Sequence, residues 1–343
     1  MSASTWQERI ADGEAARLEQ LAEQLHAIQK KRALDGKAAR ALHAKGLAGA
    51  EAELTVLPDI DPRARAGLFS QPGTYRAYVR FSNGSGLRQH DKKGDVRGLA
   101  IKLLGVEGKK LIPVPALENA RTQDFLLIQS PSTPFRDAEE FIWFVRAMES
   151  PALLLPKVLV RFGPGGGLRL LKRLAASVSR PVPSMATARY FSAVPVRWGD
   201  HAVHYAVTPH ASAPPGARTP DAQDGLTDEL ASRLNAGPVT FDFQLQFFKD
   251  EATTPIEDSS VEWKEADAPF VTVARLTLPK QDLRAPRGLK LAAFVESLSF
   301  DPWHAPVEFR PLGNMMRARN AAYRLSTQER GVAPEPDGSE RFD

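Results

Sequence analysis

The chain has 343 residues, with 45 Lys+Arg against 41 Asp+Glu for a formal net charge of +4; 43% of residues are hydrophobic and 25% charged. That length buries one large core or two small ones, and the composition excludes intrinsic disorder and a membrane-embedded chain. No cysteine is present, which excludes disulfides, iron–sulfur clusters, thiol nucleophiles and any thiolate-bound metal.

Glu8, Arg9, Asp12 and Glu14 interrupt the N-terminus, so a secretory signal is not expected and a cytoplasmic location is. Apolar residues Ile10, Leu18, Leu21, Leu25 and Ile28 recur among charges between Ser4 and Arg32, which predicts an amphipathic helix packed on a partner element. The same stripe would also serve a homodimer contact. Alternating or β-branched runs at Ala52–Leu57, Tyr75–Ser82, Val96–Leu103 and Asp124–Gln129 predict strands separated by turn-rich loops. Ala138–Arg180 reads as helical, broken at Gly163–Gly167. Its second half, Leu168–Val178 (LRLLKRLAASV), is basic and amphipathic, the pattern of a surface helix or of a membrane-surface contact, and the surface helix is the commoner of the two. Val239–Phe247 (VTFDFQLQF) and Phe270–Leu278 (FVTVARLTL) predict strands with one buried face. Asn314–Arg330 predicts a helix, and the Pro/Gly/Asp-rich stretch from Gly331 predicts a disordered tail over 331–343. This organisation gives an N-terminal helical unit (1–35) ahead of a body at 36–330 that holds one domain or two.

Individual histidines and tyrosines carry weak signals. His201 and His204 lie in HAVHYAV, where a strand would send i and i+3 to opposite faces, a poor metal pair. His26 and His90 have polar neighbours and read as solvent-exposed, and His304 as a structural hydrogen-bonding residue. Two arrangements have more content. Arg40 lies three residues before His43 in a segment closed by Gly46, although a lone histidine is more often a core or capping residue than a catalyst. Arg319 and Tyr323 are spaced i, i+4, which puts guanidinium and phenol on one helix face. A neighbouring arginine favours phenolate, an oxygen ligand suited to a hard metal ion, while spacing alone is equally that of an ordinary surface pair.

In chain order, Arg40–Gly46 (RALHAKG), Tyr78–Gly86 (YVRFSNGSG), Asp95–Lys102 (DVRGLAIK), Gln123–Asp137 (QDFLLIQSPSTPFRD) and Phe300–His304 (FDPWH) resemble haem catalases. Arg310–Arg330 (RPLGNMMRARNAAYRLSTQER) is similar to the short catalase-related peroxidase branch of that superfamily. Several motifs in order are far more specific than any one of them. The resemblance implies an α+β fold, an eight-stranded antiparallel β-barrel with flanking helices, and a buried haem b with its iron. It implies His43 as the distal histidine, Ser82 as its hydrogen-bonding serine, and Arg40, Arg80 and Arg330 as propionate contacts. It further implies Tyr323 as the proximal iron ligand, Arg319 as its partner and Phe141 as an aromatic packed on the haem. Tyrosine ligation is a property of catalase haem and is not read from this chain's spacing.

The activity so implied is reduction of hydrogen peroxide or organic hydroperoxides, with His43 moving the proton and a small-molecule electron donor as partner; nothing points to nucleic acid. Gln129 stands where full catalases carry an asparagine, and its extra methylene shifts the amide by about one C–C bond, although a one-residue shift would bring Ser130 there. Weak or moderate catalase activity is therefore expected. A fatty-acid hydroperoxide isomerase of the allene oxide synthase kind and a non-catalytic haem- or lipid-binding barrel are the alternatives.

Overall fold

In the computed structural model, residues 5–33, 39–112, 119–178, 182–210 and 223–343 are described. Nine strands and six helices of the described residues are named here in chain order. Helix α1 (Glu14–Lys31) precedes β1 (Gly46–Val56), β2 (Gly73–Asn83), β3 (Arg97–Leu104) and β4 (Thr122–Ile128). Helices α2 (Ala138–Ala147) and α3 (Leu154–Val178) separate these from β5 (Tyr190–Phe191), β6 (Val196–Trp198) and β7 (His201–Pro209). Then follow α4 (Gly225–Ala236), β8 (Val239–Phe247), β9 (Val271–Leu278), α5 (Pro286–Ser297) and α6 (Asn314–Arg330).

The sheet runs β5-β4-β3-β2-β1-β9-β8-β7, every pairing antiparallel, and β5 pairs with β7 to close eight strands into a barrel; the short β6 pairs with the start of β7 on the same side as β5. Closure removes the open edges that an antiparallel sheet otherwise exposes. Alternation explains the strands: Phe241, Phe243 and Leu245 of β8 are buried while Thr240, Asp242 and Gln244 between them are partly exposed. Phe69, Phe125, Trp198, Tyr205 and Phe243 join in one aromatic cluster with centroids 4.6–6.5 Å apart. Each such ring pair adds about 0.5–1.5 kcal/mol beyond its burial.

The α+β barrel expected from the sequence is present, and β8 and α6 have the predicted limits. Strand β1 starts six residues earlier than Ala52, because its first half (GLAGA) is built of small residues that carry no strand signature. That smallness has a use. A Cβ on Gly49 would lie 2.8 Å from the Cβ of Val295, so only glycine lets α5 cross β1 this closely. Helices α4 and α5 add to the elements expected from the sequence; their apolar positions, Leu226, Leu230 and Leu234 in one and Leu291, Phe294, Val295 and Leu298 in and just after the other, recur at helical spacing. The predicted break in the long helical stretch is real: Gly163 adopts φ 66° and divides α3, whereas the expected end at Arg180 lies outside the described residues.

Three expectations need correction. Ile10 is exposed and precedes α1, so the apolar stripe is shorter than its spacing suggests. His26 is half-buried, 3.0 Å from Glu329 of α6. The segment 331–343 has no regular structure, yet it is seated on the barrel: Phe342 is buried against Phe294, and Tyr78 Oη donates to Glu340 at 3.1 Å. An apolar anchor and several charges give this short tail contacts that its Pro/Gly content conceals. The expected boundary at residues 35 and 36 lies outside the described residues. Helix α1 itself is tied to α6 through Arg317, whose guanidinium meets Glu14, Glu8 and Glu257. No helix among the described residues is long and apolar enough to cross a membrane.

Candidate active site

His43 lies just before β1 in the left-handed region, φ 54°, where a side-chain-bearing residue is uncommon and signals a held conformation. The loop after β2 supplies the hold: His43 N–H donates to Gly84 O at 3.0 Å, and Ala44 N–H to Ser85 O at 3.1 Å. Ser82, on β2, places Oγ 2.9 Å from His43 Nδ1, which leaves Nε2 for other work. Under the ring is β3. A Cβ on Gly98 would lie 2.6 Å from His43 Cε1, 2.7 Å from Nδ1 and 2.9 Å from Ser82 Oγ. Burial, then the charges of Arg80, Arg319 and Arg40, push the imidazole down to about 3, so it is a neutral base at physiological pH.

Arg40 and Arg80 meet on one carboxylate. Arg40 ion-pairs with Glu296 and donates to the carbonyls of Glu296 and Leu298 at 3.2 and 3.0 Å. Arg80 donates from Nε to Glu296 at 2.8 Å and from Nη2 to His43 O at 2.9 Å. Arg330, at the end of α6, acts electrostatically on the same carboxylate, and its Nε is buried without a hydrogen-bond partner. Burial pulls Arg330 down to about 10 despite Glu296, and burial with repulsion from Arg80 and Arg330 holds Arg40 well below the usual guanidinium range. Three guanidinium groups against one carboxylate leave a charge of about +2 to be balanced.

Tyr323 projects from α6 one turn after Arg319. Burial raises the phenol above its ordinary value, and Arg319 offsets this only in part. The sequence-based expectation that the arginine would favour phenolate therefore has the right direction but the smaller size: the phenol alone stays protonated, and a bound cation is needed to ionise it. Arg319 itself pairs with no carboxylate among the described residues; its guanidinium contacts Met316 Sδ at 3.7 Å. Arg40 and Arg319 act on both His43 and Tyr323, so imidazole and phenol share one electrostatic enclosure although 280 residues separate them in sequence.

Two further expected site residues lie at the end of β4, the neighbour of β3, and on helix α2. Gln129, just past β4, is buried and its Oε1 accepts from Arg97 N–H at 3.1 Å, which pins it beside Gly98 by its amide oxygen. Phe141 of α2 meets Phe135 edge-on at 5.4 Å.

Sequence reasoning missed Glu296, Gly98 and a buried ionic network. A glycine inside a strand pattern was the available signal for Gly98; a glutamate in an amphipathic helix offers none. In the network, Lys102 Nζ contacts both oxygens of Asp124 at 2.7 and 2.9 Å and Glu335 at 2.8 Å. His304 Nδ1 lies 3.1 Å from Asp124, as its predicted structural role requires. Burial pushes Asp301 in the same network up to about 6.

Comparison with known proteins gives a family and a fold. A family model for catalase matches residues 12–150. A catalase-related peroxidase of Mycolicibacterium paratuberculosis (strain ATCC BAA-968 / K-10) is 31% identical over 272 residues, 75% of this chain and 78% of the relative. Among solved structures, a bacterial catalase has a TM-score of 0.61 at 17% identity, covering 96% of this chain and 62% of its own. Catalase A from Saccharomyces cerevisiae has a TM-score of 0.59 at 15% identity, covering 96% and 67%. The chain thus spans less than two thirds of the length of that bacterial catalase, and at such identities the likeness is one of fold.

Proposed function

The chain belongs to the catalase family of oxidoreductases acting on peroxide, and from that premise we propose that it is a haem-dependent peroxidase that reduces hydrogen peroxide or organic hydroperoxides at the expense of a small-molecule donor. The observation that carries this reading is the set of three arginines over one carboxylate, enclosing both a neutral histidine and a tyrosine. A haem b presents two propionates. Arg40, Arg80 and Arg330 would hold them, the surplus of about +2 matching two carboxylates, and Arg330 Nε has no other partner. Tyr323 would supply the oxygen ligand, since no cysteine is available and catalase haem uses this ligand. Phe141 would be the aromatic packed against the haem.

Haem supplies the electron-transfer chemistry when bound. The chain's own residues handle protons and charge. His43, neutral and held at Nδ1 by Ser82, takes a proton from peroxide at Nε2 and returns it to the departing oxygen. Its left-handed backbone and the Gly98 floor keep the ring in place, so little reorganisation is needed when the proton moves. Arg319 compensates charge on the Tyr323 oxygen. Gln129, tied by its amide oxygen to the Arg97 N–H beside Gly98, would supply the amide of the pocket one methylene beyond an asparagine, and weak or moderate disproportionation of peroxide would follow.

Haem titration of the purified chain tests the reading. A ferric Soret band with high-spin phenolate features should form and change in Tyr323→Phe. Oxidation of an aromatic donor by peroxide should fall by about 10²–10⁴-fold in His43→Ala. Failure to bind haem, or a Tyr323→Phe spectrum identical to wild type, defeats the proposal. An isomerase acting on fatty-acid hydroperoxides is favoured by one observation, the exposed aliphatic surface of α3; epoxide-derived products from a polyunsaturated hydroperoxide would identify it.

A further inference from the structure

Charge along the chain is strongly uneven. Residues 151–199 contain eight Lys/Arg and no Asp or Glu, so with a whole-chain charge of +4 the remainder carries −4. Five of those cations, Lys157, Arg161, Arg169, Lys172 and Arg173, lie on α3, and none has a carboxylate partner among the described residues. Elsewhere the surface arginines are commonly paired, as Arg284 with Asp228 and Arg324 with Glu19 show.

The same segment concentrates exposed apolar side chains. Of the ten large exposed hydrophobic residues among those described, seven fall between Met148 and Val178. Val160 is 87% exposed, Leu155 54% and Leu168 54%. Helix α3 packs on the body through only a few buried positions, including Val158 and Leu170, and the kink at Gly163 divides it into two short helices with Pro164 and Gly165 exposed at the bend. Scattered exposed hydrophobics need no explanation, but a concentration of them rimmed by cations marks a contact surface.

Charge and chemistry select the occupant. A second copy of this face would bring unpaired cations against cations, which disfavours a two-fold dimer through it. Nucleic acid would satisfy the cations, but the exposed positions are aliphatic, and no large aromatic side chain is exposed there for base stacking. Aliphatic side chains beside a Lys/Arg-rich rim fit a bilayer surface with anionic headgroups, the side chains entering the acyl boundary and the cations meeting phosphates. We propose that α3 docks this protein on anionic lipid membranes, a surface role separate from the enclosure around His43.

Co-sedimentation of the full chain with vesicles tests it. The chain should pellet with phosphatidylcholine–phosphatidylglycerol vesicles and stay in solution with phosphatidylcholine alone, and salt should weaken the binding. The double variant Leu155→Asp, Val160→Asp should bind about tenfold more weakly or worse, the loss expected for one buried aliphatic side chain, while Leu289→Asp, exposed on α5, should bind as wild type. Should the double variant melt early, Arg169→Glu with Lys172→Glu carries the same expectation. A wild-type chain that ignores anionic vesicles at low salt, or folded variants that bind them undiminished, overturns the proposal. So does tighter binding to single-stranded RNA that Val160→Asp leaves intact.

Discussion

At the residue scale, the backbone decides how close side chains can come. Gly98 is the floor of the His43 ring, and any Cβ there sits inside van der Waals contact with both His43 and Ser82. Gly98→Ala must displace the imidazole or lift the strand, an overpacking cost of about 1–3 kcal/mol. Peroxide turnover should fall by about 10²-fold, with a lowered urea midpoint and haem still bound. Glu296 offers a different test. Burial alone would raise its carboxyl, but Arg80 and Arg40 overcome this and hold it below the ordinary value. A depressed acid stabilises the fold above its unfolded pKa and loses that contribution as pH falls through the folded value. Glu296→Gln should therefore cost the haem-free chain about 1 kcal/mol at neutral pH, small because its side chain is 41% exposed and screened, and the difference should vanish in acid. Haem should bind the variant more tightly, since the arginines then lack the counter-charge that Glu296 gives them; unchanged affinity in a Soret titration would contradict that.

At the element scale, packing overrides the message of local composition. The tail after Gly331 has the Pro/Gly/Asp content of a disordered segment, yet it places Glu335 against fully buried Lys102 and inserts Phe342 beside Phe294. Deleting residues 331–343 leaves Lys102 with Asp124 and His304 as neighbours and strips one carboxylate from a dry network. Breaking a buried pair in this way costs about 3–5 kcal/mol, to be seen as a lower urea midpoint with a nearly unchanged slope. Helices α1 and α6 give the complementary case. The amphipathic stripe correctly announced that α1 needs a partner, but that the partner is α6, whose Arg317 pairs with Glu14 at the start of α1, has no signature in either segment. Strand β8 and helix α6 were legible to the residue because each has a sustained period. Strands β5 and β6, two and three residues long, are too short to have one. Helix α5, which carries Glu296, had local signals as well, Pro286 in its first turn and Leu291, Phe294, Val295 and Leu298 at helical spacing, but nothing in them says that it crosses β1 or that Glu296 meets two arginines.

At the scale of the molecule, the site is a product of barrel closure. His43 and Ser82 meet through the β1–β2 pairing, whereas Glu296 reaches Arg80 only after α5 returns across β1, 216 residues later in the chain. Tyr323 and Arg330 arrive last, on α6. Haem binding should accordingly be as cooperative as the fold: loss of the Soret signal and loss of far-UV circular dichroism should coincide on heating. An early Soret transition with intact secondary structure would show that α6 detaches independently of the barrel.

What the sequence by itself determined is the ingredient list: no thiolate, several strands with one buried face, a guanidinium and a phenol on one turn of a terminal helix, and a run of motifs whose order resembles catalases. Without that order His43 was an ordinary histidine, because a residue's role depends on neighbours that local spacing does not contain. Only the tertiary structure decided that His43 is neutral, that Gly98 lies beneath it, that Glu296 bridges two arginines, and that burial keeps Tyr323 protonated in the absence of a cation. Desolvation and Coulomb interactions act through space, between groups that the chain brings together from both of its ends.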